Sequence, residues 1–230
     1  MKDFEKLEEK LQIQFRNKHL LKQAFTHRSY LNENSKLIGE HNERLEFLGD
    51  AVLELVVTEN LFLKFPEKPE GDLTAYRASL VNTSSLSESA NDLGLNDFLL
   101  LSRGEAKDMG KARQYILANT FEALVGALYL DNGYEHAKNF ILKTLFPKLS
   151  QILKDRLWQD AKSHLQEKAQ EIVNITPTYR VLHEEGPDHD KKFTVGVFLN
   201  NELVGEGDGH SKQEAEQHAA EEALKEKRWN

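Results

Sequence analysis

The feature that most constrains how this chain can fold is the stretch from His41 to Thr58, HNERLEFLGDAVLELVVT. At about 100° per helical residue, Glu43, Glu46 and Asp50 fall within roughly 60° of arc, while Leu45, Leu48, Val52 and Leu55 lie on the opposite side. The spacing predicts one helix with an acid face and a separate core face. An ordinary amphipathic helix also has a solvated charged face, but two details go beyond it. Gly49 sits in mid-helix, where it costs about 1 kcal/mol relative to Ala, and close approach of a second backbone would account for it. Phe47 stands beside the acid face, where a merely solvated surface would not favour an aromatic. Spacing admits Glu54 to the same arc, so it does not single out which carboxylates matter.

A second stretch, Tyr115 to Asp131, is apolar on nearly every side and is expected to run through the interior. Asn119 and Glu122 interrupt it, three residues apart and therefore on one face. An ionised carboxylate in such a helix is costly unless it is paired, protonated or bound to a cation. Two facing helices, one offering Glu46 and Asp50 and the other Asn119 and Glu122, would make an all-oxygen site of the kind that Mg²⁺ or Mn²⁺ prefers. A di-iron bundle would need a His three residues after a Glu on two helices, and no histidine of this chain has that spacing.

From Phe4 to about Leu153 the pattern is helical, punctuated by Pro and Gly, beginning with Phe4, Leu7, Leu11 and Phe15 at helical spacing. Phe65 is expected to close the helix of the acid motif, Asp72 to cap the next, and Thr74–Asn91 to continue as one helix. Strand-like alternation first appears beyond Gln159. This gives an all-α domain over 1–155, a linker over 156–160, and a small α+β domain over 161–228 in the order α-β-β-β-α. Its expected elements are a helix over Ser163–Val173, strands over Thr178–Glu184, Lys192–Leu199 and Glu202–Glu206, and a last helix. Asn200-Asn201 suits a two-residue hairpin turn. Ser211 and Glu214 have capping-box spacing at the start of the last helix, whose Ala215, Ala219, Ala220 and Ala223 allow close packing on a sheet. Lys212 at that helix start is a ready partner for anions, and the loop Gly186-Pro187-Asp188-His189 presents polar groups that could reach a groove.

The absence of cysteine removes disulfides, thiolate zinc sites and a Cys nucleophile, and suits a reducing compartment. No apolar run approaches the ~18 residues of a membrane helix, and the charged N-terminus is unlike a signal peptide, so a cytoplasmic protein is expected. A formal net charge of −8 argues against bulk attraction to nucleic acid. Any such contact must be local.

The segment NERLEFLGDA, Asn42 to Ala51, together with the C-terminal layout, resembles bacterial ribonuclease III over essentially the whole chain. The resemblance implies an all-helical endonuclease domain joined to a double-stranded-RNA-binding domain. It implies a homodimer that hydrolyses double-stranded RNA to 5′-phosphate and 3′-hydroxyl ends with Mg²⁺ or Mn²⁺, in ribosomal-precursor and messenger RNA processing, without a nucleotide cofactor. It assigns Glu46, Asp50 and Glu122 to the metal, Glu43 and Glu70 to the cleavage site, and Phe47 to the dimer interface. Gln166, Glu167 and Gln170 would meet one minor groove, His189 the next, and Lys212 the phosphates between them. Two positions depart from the family pattern. Asn119, within the segment Asn119 to Leu124, stands where Asp is usual, and could still offer the metal an amide oxygen. Gln213 stands where a second Lys is common. The alternative that Asn119 raises is a double-stranded-RNA-binding protein impaired in cleavage.

Overall fold

The computed structural model describes residues 2–34, 39–108, 110–154, 161–187 and 191–229. Contacts divide the chain into two compact units, Met1–Trp158 and Gln159–Asn230. The proposed linker, 156–160, and His189 lie outside the described residues.

The first unit is helical: α1 (Phe4–Leu11), α2 (Lys18–Ala24), α3 (Arg28–Glu33), α4 (Glu43–Lys64), α5 (Glu70–Val81), α6 (Thr83–Asp92), α7 (Lys111–Asn132), α8 (Tyr134–Thr144) and α9 (Leu149–Lys154). The two long helices, α4 and α7, pack against each other, and the core gathers around them. Leu45, Val52, Leu53 and Val56 of α4 and Phe121, Leu124, Val125 and Leu128 of α7 are all buried. Tyr115 and Leu130, near the two ends of α7, emerge at the surface.

Three sequence expectations are corrected here. Leu55, assigned to the core side of α4, is 58 % exposed. The arc of α4 that meets the core is rotated away from it, and Leu55 instead shares an outward apolar stripe with Phe47 and Phe62, within roughly 80° of arc. Asp72 is not a cap. α5 starts at Glu70 behind Pro69, which puts Asp72 in the first helical turn with an ion pair to Lys68 at 3.0 Å. A carboxylate there still meets the positive end of the helix dipole. Finally, Thr74–Asn91 is two helices. Asn82 turns extended (ψ 161°), and its side-chain oxygen accepts the Ser85 amide at 2.9 Å, which caps α6.

The second unit holds α10 (Ala161–Val173), β1 (Thr178–Glu185), β2 (Lys192–Leu199), β3 (Glu202–Gly209) and α11 (Lys212–Lys227). The strands form one antiparallel sheet in the order β1-β2-β3. The turn at Asn200-Asn201 forms as expected, with Asn200 in the left-handed region (φ 57°) that asparagine tolerates. Strand β3 runs three residues beyond the expected Glu206 because it alternates glycines under α11. A Cβ on Gly207 would stand 2.2 Å from the Ala219 nitrogen. Ser211 caps α11 by accepting the Glu214 amide at 3.2 Å, while the Glu214 carboxylate reaches back to the His210 amide at 2.7 Å. Val195, Val197, Leu199, Leu165 and the alanines of α11 are buried between sheet and helices.

Candidate active site

The crossing of α4 and α7 builds the site. A Cβ on Gly49 would lie 1.8 Å from the Glu122 carbonyl oxygen, and one on Gly126 would lie 2.2 Å from the Leu45 carbonyl oxygen. The two backbones therefore touch, and only glycine at both positions permits it. That contact brings Glu46 and Asp50, on either side of Gly49, against Asn119 and Glu122, on the turns of α7 that precede Gly126.

The electrostatics record the convergence. Burial pushes the Glu122 carboxyl up to about 8, helped by the charges of Asp50 and then Glu46. Burial also raises Glu46, with Glu43 and Asp50 adding repulsion, while a hydrogen bond with the Asn119 amide acts in the opposite sense. No cationic side chain contributes to either shift. Four oxygen-bearing side chains thus share a half-buried recess whose charge is uncompensated, which is the chemistry a hard divalent cation satisfies. Among the described residues no three acidic or histidine side chains already close around one point, so such a cation would have to draw the mutually repelling carboxylates inward. The donor set fits the ion.

The remaining acidic residues are sorted by their partners. Glu43 lies at the start of α4, 3.7 Å from Arg28 and 3.8 Å from His41, and acts on Glu46 through its charge. Glu54 is held by Arg77 at 3.0 Å, and Arg77 also donates to the Thr58 hydroxyl at 2.9 Å, so Glu54 serves an ion pair. Glu70, the first residue of α5, accepts the Thr74 hydroxyl at 3.1 Å, and no described contact joins it to the recess. Phe47 is 80 % exposed. Sequence reasoning missed Arg28 and His27. They stand beside Glu43 from the start of α3, and burial lowers the His27 imidazole while Glu105 and Glu43 act to raise it. No spacing links them to α4, although an adjacent His-Arg pair was a signal that could have been taken up.

In the second unit Gln166, Glu167 and Gln170 line one open groove of about 670 Å³ along α10, with Ser163 and Glu171. Lys212 stands 3.3 Å from Glu184 and 5.5 Å from the centre of the Phe193 ring. It is exposed on that pairing, which an RNA phosphate would have to displace.

Comparison with known proteins agrees with this construction. Residues 17–149 match a family model described as ribonuclease-III-like, and residues 161–227 match the double-stranded RNA binding motif. The chain is 49 % identical to a "Ribonuclease 3" of Geobacillus kaustophilus over 96 % of its length and 89 % of that protein's. It is 48 % identical to one of Enterococcus faecalis over 95 % of each chain. A solved nuclease domain of ribonuclease III from Campylobacter jejuni, in a structure describing flexibility in the region involved in dimer formation, is 46 % identical with a TM-score of 0.57. It covers 63 % of this chain and 99 % of that one. With an acid recess at a glycine-mediated crossing of two helices, a helix–three-strand–helix unit later in the chain, and both family models matched, this chain belongs to the ribonuclease III family of double-strand-specific endoribonucleases.

Proposed function

We propose that this protein acts as a cytoplasmic homodimer that hydrolyses double-stranded RNA with Mg²⁺, or Mn²⁺ in its place, in the processing of ribosomal-precursor and messenger RNA. The observation that carries the reading is the recess of Glu46, Asp50, Glu122 and Asn119, where carboxylates crowd together without a cationic side chain to balance them. Those three carboxylates and the Asn119 amide oxygen would hold the cation. When bound, it supplies positive charge against the scissile phosphate and acidifies water for attack. Glu122, whose carboxyl burial pushes up to about 8, would have to be deprotonated to join that donor set. On this reading Glu43 and Glu70 serve cleavage as further acidic groups, Glu70 without a contact to the recess among the described residues. In the overall step the water oxygen bonds to phosphorus and the bond to the 3′ oxygen breaks. One fragment keeps the 5′-phosphate, and the other takes up a proton as a 3′-hydroxyl.

The second unit would bring the duplex. Gln166, Glu167 and Gln170 suit the 2′-hydroxyls of a minor groove, His189 the next groove, and Lys212 the phosphates between. The domain limits proposed for this division of labour are 1–155 and 161–228. No helix of the described residues is long and apolar enough to cross a membrane.

One observation favours a second reading. Asn119 is neutral where the recess needs charge, and its amide is already engaged with Glu46. On that reading the protein binds duplex RNA and cuts it poorly or not at all. A gel assay on a long perfect RNA duplex distinguishes the two. With Mg²⁺ the wild type yields short duplex fragments, and the Glu122→Gln variant shifts the duplex without cutting it. A wild type that only shifts the duplex at every Mg²⁺ and Mn²⁺ concentration would establish the second reading instead.

A further inference from the structure

A polyanion has to be brought to a site that is itself negative. The recess holds three carboxylates with no cationic side chain balancing them, in a chain of formal net charge −8. A divalent cation answers for the phosphate it touches. The neighbouring phosphates of the same strand meet an acidic rim, so a positive side chain is needed there.

The arginines of α3, α4, α5 and α7 are sorted by what holds them. Arg113 is buried and donates to the Asn96 side-chain oxygen at 3.0 Å and to the backbone oxygens of Glu105 and Asp108. Arg77 is held by Glu54 and Thr58. Arg44 leaves α4 roughly 160° around the helix from Glu46, on the side of Phe47 and Phe62. Arg28 is left. Its guanidinium lies 3.7 Å from the Glu43 carboxylate, and its side chain is 69 % exposed. Glu43 in turn adds its charge to Glu46, so Arg28 stands at the rim, one carboxylate away from the recess. An ion pair of that length, open to water, contributes little, so a phosphate can take the place of Glu43 at small cost. The planar fork of a guanidinium matches two phosphate oxygens.

The backbone beneath Arg28 is fixed from two sides. Asn42, buried at the start of α4, donates its backbone amide to the Thr26 carbonyl at 2.9 Å and its side-chain amide to the Ala24 carbonyl at 3.3 Å. Opposite, the His27 amide donates to the Leu100 carbonyl at 3.1 Å. The Ser29 hydroxyl accepts the Ser102 amide at 3.1 Å and so gives its own proton to His27 Nδ1 at 2.8 Å. The segment that carries Arg28 is thus bonded directly to the start of the helix that carries Glu43, Glu46 and Asp50. An arginine on a loose loop would have no fixed relation to the recess; this one has.

From these features we infer that Arg28 is a substrate-binding residue of the cleavage reaction, taking a backbone phosphate of the RNA strand next to the one being cut. The inference rests on the reading that the strand is cut at the acid recess.

The test has a binding arm and a cleavage arm. Fluorescence anisotropy with a perfect RNA duplex in Mg²⁺, across a salt series, compares Glu122→Gln, chosen to keep the strand intact, with Glu122→Gln/Arg28→Ala. The added substitution should weaken binding about threefold or more and reduce the slope of log Kd against log salt by about one for each Arg28 engaged. Steady-state cleavage compares the wild type with Arg28→Ala and Arg28→Lys. Arg28→Ala should melt like the wild type, keep its Mg²⁺ midpoint, raise KM about fivefold or more and leave kcat within about twofold. Arg28→Lys, which keeps the charge and loses the fork, should fall between. Affinity, salt slope and KM all unchanged by Arg28→Ala would overturn the inference. A fall in kcat at unchanged KM would overturn it as well, because Arg28 would then act by holding Glu43. Should the wild type prove unable to cut, the reading of the recess fails by itself, and the salt series still decides for or against Arg28.

Discussion

A carboxyl group that titrates near 8 in the folded chain and near its ordinary 4.5 in the unfolded one holds a proton between those values only when folded. Folding is then opposed by rising pH across that window, because the native state must either keep the proton or bury a charge. Glu122 is that group, and Glu46 shifts in the same direction. The sign is opposite to that of a salt-bridged acid: the penalty is absent below about 4.5 and complete above about 8. Glu122→Gln should therefore raise the melting temperature of the metal-free protein, with a gap over the parent that widens from pH 4.5 to pH 8 and reaches at least about 2 °C there. Thermal melts in EDTA across that range check it, and a gap that is absent or narrows with pH would remove this account of the recess. Such a destabilising arrangement has no structural purpose of its own, and a divalent cation supplies one.

At the scale of elements, the site depends on two helices approaching to backbone contact. Gly49→Ala would place a methyl group where 1.8 Å separates it from the Glu122 carbonyl oxygen, and backbone cannot yield as a flexible side chain does. The helices must part, so the variant should lose stability by about 1–3 kcal/mol and cleavage by about tenfold or more. Urea denaturation and the duplex assay read the two effects, and a fully active, fully stable Gly49→Ala protein would contradict the crossing. Much of this was legible in the sequence. A mid-helix glycine beside spaced carboxylates, and a lone Glu in an apolar helix, were enough to pair α4 with α7. What the helical wheel could not give was which of two apolar arcs faces inward. Leu55 and Val52 are equally apolar, and only the position of α7 decides that Val52 is covered and Leu55 is not. The break at Asn82 was missed for a related reason. Asn82-Thr83-Ser84 reads as a polar helix surface until the side chain of Asn82 is seen holding the Ser85 amide. The strand expected to end at Glu206 continues through Gly207 and Gly209, where α11 packs against its backbone.

For the whole molecule, α4 leaves an apolar stripe uncovered among the described residues. Phe47, Leu55 and Phe62 are 80 %, 58 % and 67 % exposed along a single helix. A two-fold partner presenting the same stripe would cover both copies at once. The full chain should sediment as a dimer, and Phe47→Ala should raise its dissociation constant about tenfold or more. A wild-type monomer at micromolar concentration would remove the homodimer from this description.

Cleavage measured against Mg²⁺ concentration, for the wild type, Asn119→Asp and Glu122→Gln on one RNA duplex, bears on all of these at once. Asn119 contributes a neutral oxygen where Asp would add a fourth charge, so the wild type should cut, but with a higher Mg²⁺ midpoint than Asn119→Asp, by about tenfold. Glu122→Gln should not cut at any concentration, and should bind the duplex as tightly as the wild type. Cleavage by Glu122→Gln at the wild-type rate, or an Asn119→Asp protein with an unchanged Mg²⁺ midpoint and rate, would show that the recess of Glu46, Asp50, Asn119 and Glu122 is not where the metal works.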